Sequence, residues 1–100
     1  MRNWRVIIRT ADGRQLATRS IKIADQLIVL RADHVLPGGM PCDLQIVVPA
    51  LDARKPASVA EVKAVVAGAI FSEGIIRLDL QIESIDSAAK SIIDARIYGG

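Results

Sequence analysis

Basic side chains near the start of the chain are the residues best suited to binding chemistry. Residues 1–31 carry seven basic side chains against two acidic ones, whereas the remaining residues carry six basic and nine acidic side chains. A guanidinium group grips phosphate through two parallel hydrogen bonds, and its plane stacks on bases and aromatic rings. The candidate ligand-binding residues are therefore the following: Arg2, Arg5, Arg9, Arg19 and Lys22.

Arg5 and Arg9 have the most informative spacing among these residues. They lie four residues apart in a segment, 4–10, that alternates apolar and polar residues as a half-buried strand does. Strand geometry places both side chains on the outward face, about 13 Å apart, which is wide for one phosphate but suits a dinucleotide. Charge on alternating strand positions is also typical of a solvated face, so both interpretations stay open.

The sequence offers little for catalysis or metal binding. His34 is the only histidine and Cys42 the only cysteine, so neither has a like partner for a metal site, and no disulfide can form within the chain. Asp79 and Glu83 share one strand face but lie too far apart to act together as a general acid and a general base. The Pro-Gly-Gly segment 37–39 lacks the lysine and the helix of a phosphate loop. We expect a non-enzymatic protein with no cofactor and with Cys42 buried.

Composition bounds the class of protein. One hundred residues predict a single domain, 1–100, and a chain that is 51% hydrophobic but only 3% aromatic favours a sheet of β-branched residues. No apolar run approaches the ~20 residues of a membrane span, and the start of the chain lacks a signal-peptide pattern. We expect a cytoplasmic protein with no membrane insertion. The scarcity of aromatic residues argues against a nucleic acid polymer as partner.

Alternation of apolar residues predicts strands along most of the chain. Segments 4–10 and 15–23 flank an Asp-Gly pair typical of a tight hairpin. Arg19 falls on the apolar side of the second segment, which predicts a β-bulge or a position beyond the core. Segment 26–31 is apolar on both faces, as in a strand that is sandwiched or meets a partner, and segment 42–48 alternates again.

Residues 58–71 carry conflicting signals. A capping-box pattern and several alanines favour a helix, whereas many β-branched residues and a glycine favour a strand. The regular alternation of 76–83 after a short turn decides for a long hairpin. From Asp86 or Ser87 the pattern becomes helical. The sequence thus predicts a mainly β protein, a six-stranded antiparallel split β-barrel with a C-terminal α-helix.

Four features follow one another in a distinctive order. They are an arginine-containing start, a strand pair, a Gly-Gly segment that leads through an alternating strand to a proline (36–49), and a long hairpin before a helix. This order resembles the PilZ domain of bacterial cyclic di-GMP signalling. The resemblance covers most of the chain and implies a β-barrel with a regulatory role.

The PilZ family binds cyclic di-GMP through an Arg-x-x-x-Arg segment and an Asp/Asn-x-Ser-x-x-Gly segment. Arg5 and Arg9 have the first spacing. Residues 22–27 stand in the place of the second segment, and its three defining positions are replaced, by Lys22, Ala24 and Leu27. The resemblance therefore implies that cyclic di-GMP binding is weak or absent.

Three hypotheses about function follow. The first is a non-catalytic PilZ-like adaptor that regulates motility, type IV pili or biofilm formation in cyclic di-GMP-linked signalling by contacting a protein partner. The second is a cyclic di-GMP receptor whose binding residues form a nonstandard arrangement: Arg2, Arg5, Arg9, Arg19 and Lys22. The third is a β-barrel subunit of a homo-oligomer, such as a homodimer, that buries the outward residues Ile7, Val47 and Val65.

Overall fold

Six strands and one helix follow one another in the computed structural model, which describes residues 3–50, 54 and 56–97. The elements are β1 (Arg5–Thr10), β2 (Gln15–Ile23), β3 (Leu27–Ala32), β4 (Pro41–Val48), β5 (Ser58–Ser72), β6 (Ile75–Ile85) and α1 (Ser87–Ile97). All strand pairs are antiparallel, and the order β1-β2-β3-β6-β5-β4 closes on itself. The predicted six-stranded barrel with a C-terminal helix is confirmed, and its ring of strands is closed.

Aliphatic side chains from alternate strand positions fill the barrel. The largest of them within the six strands are less than 2% exposed: Val6, Ile8, Ile28, Leu30, Leu44, Ile46, Val48, Val62, Val66, Leu78 and Leu80. Burying one such side chain contributes about 1.5–3 kcal/mol, so this core is the main source of stability. The same alternation directs the intervening polar residues to the outer surface, where the candidate binding residues lie.

The two ends of the barrel are closed by different elements. Helix α1 packs against β5 and β4 and buries Ala89 and Ile93, and the carboxylate of Asp86 caps it by accepting the Ala89 N–H at 2.8 Å. At the other end, the loop between β3 and β4 buries Leu36 in the core. No helix among the described residues is long and apolar enough to cross a membrane.

The segment with conflicting signals, 58–71, is part of strand β5, so the long hairpin is confirmed. It turns through Glu73 and Gly74, whose φ angles of 54° and 78° are both left-handed. Two consecutive left-handed residues make the tight turn whose twist matches that of the flanking strands. The hairpin extends beyond the end of its pairing with β4, which stops where Val65 of β5 lies opposite Pro41 of β4.

Candidate binding surface

Four arginines lie side by side across four neighbouring strands on the outside of the barrel. Arg5 of β1 lies opposite Arg19 of β2. Arg19 lies opposite Arg31 of β3 on its other side, and Arg31 lies opposite Arg77 of β6. Strands are spaced about 4.8 Å apart, so the row spans about 14 Å. We call this row of exposed side chains, Arg5, Arg19, Arg31 and Arg77, the arginine ladder.

Core packing holds the ladder on the outer surface. The inward neighbours Val6, Leu30 and Leu78 are completely buried, so the adjacent arginines must point outward. The start of the ladder is also fixed by hydrogen bonds to Ser20. Its hydroxyl accepts the Trp4 N–H at 2.8 Å, and its own N–H donates to the Trp4 carbonyl at 2.8 Å. These bonds position the residue that precedes Arg5.

A β-bulge brings Lys22 onto the face of the ladder. Ser20 pairs with Leu30 and Lys22 pairs with Val29, so Ile21 is an extra residue with no partner on β3. In a regular strand, a residue three positions after Arg19 would point to the opposite face. The extra residue restores Lys22 to the outer face, about 7 Å along the strand from Arg19. The bulge predicted as one explanation of Arg19 is confirmed, and Arg19 is exposed.

Arg9 lies apart from the ladder in a row of alternating charge. Its partners are Gln15 on β2 and Asp43 on β4, and Asp43 lies opposite Lys63 on β5. The carboxylate of Asp43 lies between two cations and balances the charge of this row, whereas the ladder has no such carboxylate between its arginines.

The structure therefore groups three of the predicted residues, Arg5, Arg19 and Lys22, and separates Arg9 from them. Arg2 lies outside the described residues.

Carboxylates compensate the ladder mainly at one end. Arg77 Nε lies 3.3 Å from Asp79 Oδ1. Among the described residues, no carboxylate lies within 4.0 Å of the guanidinium groups of Arg5, Arg19 or Arg31. Like charges directly opposite each other destabilise a sheet, so the row carries a cost in folding free energy that a bound anion would offset.

The ladder borders an open depression on the outer wall of the barrel. Its lining consists of Arg5, Ile7, Ala17, Thr18, Arg19, Arg31 and Asp33. Ile7 and Ala17 lie directly opposite each other and form an apolar strip beside the arginines. The surface therefore offers an apolar contact next to three cations, which suits an anionic partner with an apolar part.

The single histidine and the single cysteine of the sequence both lie outside the ladder. No group of three metal-ligating side chains occurs in the described part of the chain, and His34 is exposed in the loop between β3 and β4. Cys42 is buried as predicted, and burial, followed by the charge of Asp43, raises its pKa to about 11. Its thiol therefore stays protonated and unreactive near neutral pH.

The prediction from sequence missed two members of the ladder, Arg31 and Arg77. Both stand on outward strand positions next to apolar residues, so their exposure is predictable. Their alignment with Arg19 depends on the registers of β2 with β3 and of β3 with β6. Residues 31 and 77 lie far apart in the sequence, and no local pattern links them.

Comparison with known proteins identifies the fold. No family model and no curated protein matches the chain. Among solved structures, the inhibitor of motility MotI/DgrA from Bacillus subtilis superimposes with a TM-score of 0.77 at 19% sequence identity. The match covers 96% of this chain and 46% of that protein, so the chain spans about half the length of MotI/DgrA. This likeness supports a PilZ-like fold for the chain.

Proposed function

We propose that this chain is a non-catalytic regulatory domain that binds an acidic surface of a partner protein with its arginine ladder. The ladder itself carries the proposal. Arg5, Arg19 and Arg31 stand in direct register, and no carboxylate among the described residues pairs with them within 4.0 Å. An uncompensated row of this kind gains most when a partner supplies the missing negative charges.

The shape of the surface favours a protein over a small molecule as partner. Sites for small molecules are concave and enclose most of the ligand, whereas the ladder lies on the outer wall of a barrel beside a depression that is open to solvent. Arginine is enriched at protein interfaces because it combines charge, planar hydrogen bonding and an apolar stem. The strip formed by Ile7 and Ala17 supplies the apolar centre that such interfaces contain.

The similarity in fold supports a place in bacterial signalling. MotI/DgrA is an inhibitor of motility, and its structure superimposes on 96% of this chain. We therefore assign the domain to cyclic di-GMP-linked regulation of motility, type IV pili or biofilm formation in the cytoplasm. Its direct action in that setting is contact with the acidic partner.

The span of the ladder supports a second candidate function, a cyclic di-GMP receptor. A row of about 14 Å matches the extent of a dinucleotide, and Lys22 adds a fifth cation on the same face. Guanidinium planes can also stack on guanine bases. In this arrangement the nucleotide would bind across β1, β2 and β3 through Arg5, Arg19 and Arg31.

Titration calorimetry with cyclic di-GMP at moderate salt separates the two functions. The adaptor function predicts no binding tighter than ~10 μM. Tighter binding that is lost in Arg5→Ala and Arg19→Ala would overturn the adaptor function and establish the receptor. If the binding needed Arg9 but neither Arg5 nor Arg19, the ladder would be overturned as the nucleotide site.

Cross-linking in cells tests the protein partner with two variants of equal charge change. Arg19→Gln/Arg31→Gln removes two cations from the ladder, whereas Arg9→Gln/Arg14→Gln removes two cations outside it. We expect the control variant and the unmodified chain to cross-link to the same protein. The cross-link to that protein should be lost in the ladder variant. Equal loss in both variants would point to net charge alone and would overturn the proposal.

A further inference from the structure

The end of the β5–β6 hairpin presents an unpaired strand edge. The pairing of β4 with β5 ends where Pro41 lies opposite Val65. One residue further, the Val66 N–H donates to the Met40 carbonyl at 2.9 Å and the Gly39 N–H donates to the Val66 carbonyl at 2.7 Å. Beyond that point, residues 68–72 pair with β6 on one side, and no described strand pairs with them on the other. We call residues 68–72 the free edge.

The free edge is apolar and exposed. Phe71 is 72% exposed and Ile70 is 45% exposed, which makes this one of the most apolar exposed segments among the described residues. Protein edges normally carry lysine, proline or inward charges that prevent pairing with another chain. The sequence Gly-Ala-Ile-Phe-Ser contains none of them.

The sequence predicted a different oligomer contact, formed by Ile7, Val47 and Val65. In the structure these three side chains are half-buried and therefore less exposed than Ile70 and Phe71.

We propose that the free edge pairs with the free edge of a second copy of this chain. Antiparallel pairing about a two-fold axis at Ile70 sets Ile70 opposite its own copy. It sets Phe71 opposite Ala69 on the other face, a large side chain against a small one, and Gly68 opposite Ser72. No like charges meet in this register, and each chain satisfies the exposed backbone groups of the other. The segment is thus complementary to itself in shape and charge.

The register also has a consequence for the arginine ladder. Ile70 lies opposite Arg77, so it continues the ladder by one strand. In the dimer, the two ladders become one row that runs across both barrels through the Ile70 pair. The two Arg77 side chains stand three strand spacings apart, about 14 Å, which exceeds the Debye length at physiological salt. Dimerisation therefore extends the basic surface with little repulsion between its halves. The dimer itself requires no ligand and stands independently of the proposed partner.

Sedimentation velocity on two matched variants tests the proposal. Ile70→Lys places two cations opposite each other at the two-fold axis. Val59→Lys changes a β-branched residue of the same strand, 56% exposed, at a position where β5 is paired with β4. At ~100 μM the unmodified chain and Val59→Lys are expected to dimerise, and Ile70→Lys is expected to weaken dimerisation at least ~10-fold. A monomeric unmodified chain would overturn the proposal and leave the edge to a strand of another protein.

Disulfide trapping gives a second measurement that does not depend on the fold of a lysine variant. Ile70→Cys is expected to form a disulfide between copies under mild oxidation, because directly opposed strand residues have Cα atoms within bonding range. Val59→Cys is the control, and the native Cys42 is buried. Cross-linking at position 59 as fast as at position 70 would contradict the proposed register.

Discussion

Arg19 and Arg31 lie directly opposite each other on β2 and β3, with both side chains on the outer face of the barrel. Their Cβ atoms are about 5 Å apart in such a pair, so two cations share one small area of sheet. The inward neighbours Ser20 and Leu30 are also directly paired, which fixes the register that opposes the two charges. The core thus imposes an arrangement that is unfavourable for the isolated chain and favourable for an anionic partner.

The variant Arg31→Gln tests the cost of this opposition. It removes one of the two inner charges of the ladder, so we expect the free energy of unfolding to rise by about 0.5 kcal/mol at low ionic strength. Added salt screens the repulsion, so the gain shrinks above ~0.15 M. Urea unfolding at two salt concentrations measures both effects.

The variant Arg9→Gln is the control for Arg31→Gln, because Arg9 lies opposite Asp43. It removes the cation that attracts the carboxylate of Asp43, and we therefore expect the free energy of unfolding to fall slightly or stay unchanged. Stabilisation of equal size in both variants would show that net charge, rather than the register of the ladder, sets the effect.

A second prediction concerns the hydrogen bonds that hold the start of β1. Ser20→Ala leaves the buried Trp4 N–H without its acceptor at 2.8 Å, and the expected loss is about 1–3 kcal/mol of unfolding free energy. Ser58→Ala removes an exposed serine of another strand, outside the free edge, and should change stability by less than about 0.5 kcal/mol. Thermal and urea unfolding of the two variants measure the difference. Equal stability of both would show that the Ser20 hydroxyl does not satisfy Trp4.

The strands and the helix could be predicted from the sequence because each depends on a local period. The period of two along β1, β4 and β6 follows directly from one buried face, and the change of period after β6 marks α1. Strand β2 was the most difficult strand to predict from the sequence. Its inward residues before the bulge are Thr18 and Ser20, polar residues that hydrogen-bond to the backbone of Val6 in β1 and of Trp4 just before β1. Their polarity hides the buried face, and Arg19 therefore looks misplaced until the bulge at Ile21 is known.

The ladder and the free edge could not be predicted, because both depend on pairing between distant segments. Arg31 meets Arg77 only because barrel closure brings β6 next to β3. The exposure of Phe71 depends on where β4 ends, and the sequence of β5 does not contain that information. Local patterns decide which face a residue occupies, whereas register decides which residues become neighbours.

A third prediction follows from the raised pKa of Cys42. Folding raises this pKa from 9.0 to about 11, so the folded state favours the neutral thiol. The resulting stability is fully present below pH 9, falls as the unfolded chain ionises above pH 9, and is lost as the pH rises through 11. The pH dependence of urea unfolding in the unmodified chain, minus that in Cys42→Ala, isolates this contribution. An identical slope in both proteins between pH 9 and 11 would contradict it.

Thiol labelling gives an independent test of the same residue. Cys42 is buried, so a neutral aromatic disulfide reagent should modify it at pH 8 only when the chain unfolds. The labelling rate should therefore rise with urea in step with unfolding. Fast labelling in the absence of urea would show that the thiol is accessible in the folded chain.

The last prediction concerns the turn that supports the free edge. Glu73 holds a φ of 54°, a left-handed conformation that costs most residues about 1 kcal/mol and that asparagine tolerates better. We therefore expect Glu73→Asn to raise the free energy of unfolding by about 0.5–1 kcal/mol. Glu61→Asn makes the same charge change at an exposed strand position opposite Gln45, where asparagine is unfavourable, and it should lower stability. Thermal unfolding of the two variants should therefore shift in opposite directions. A shift in the same direction would mean that removal of one carboxylate, and not the backbone conformation of the turn, determines the effect.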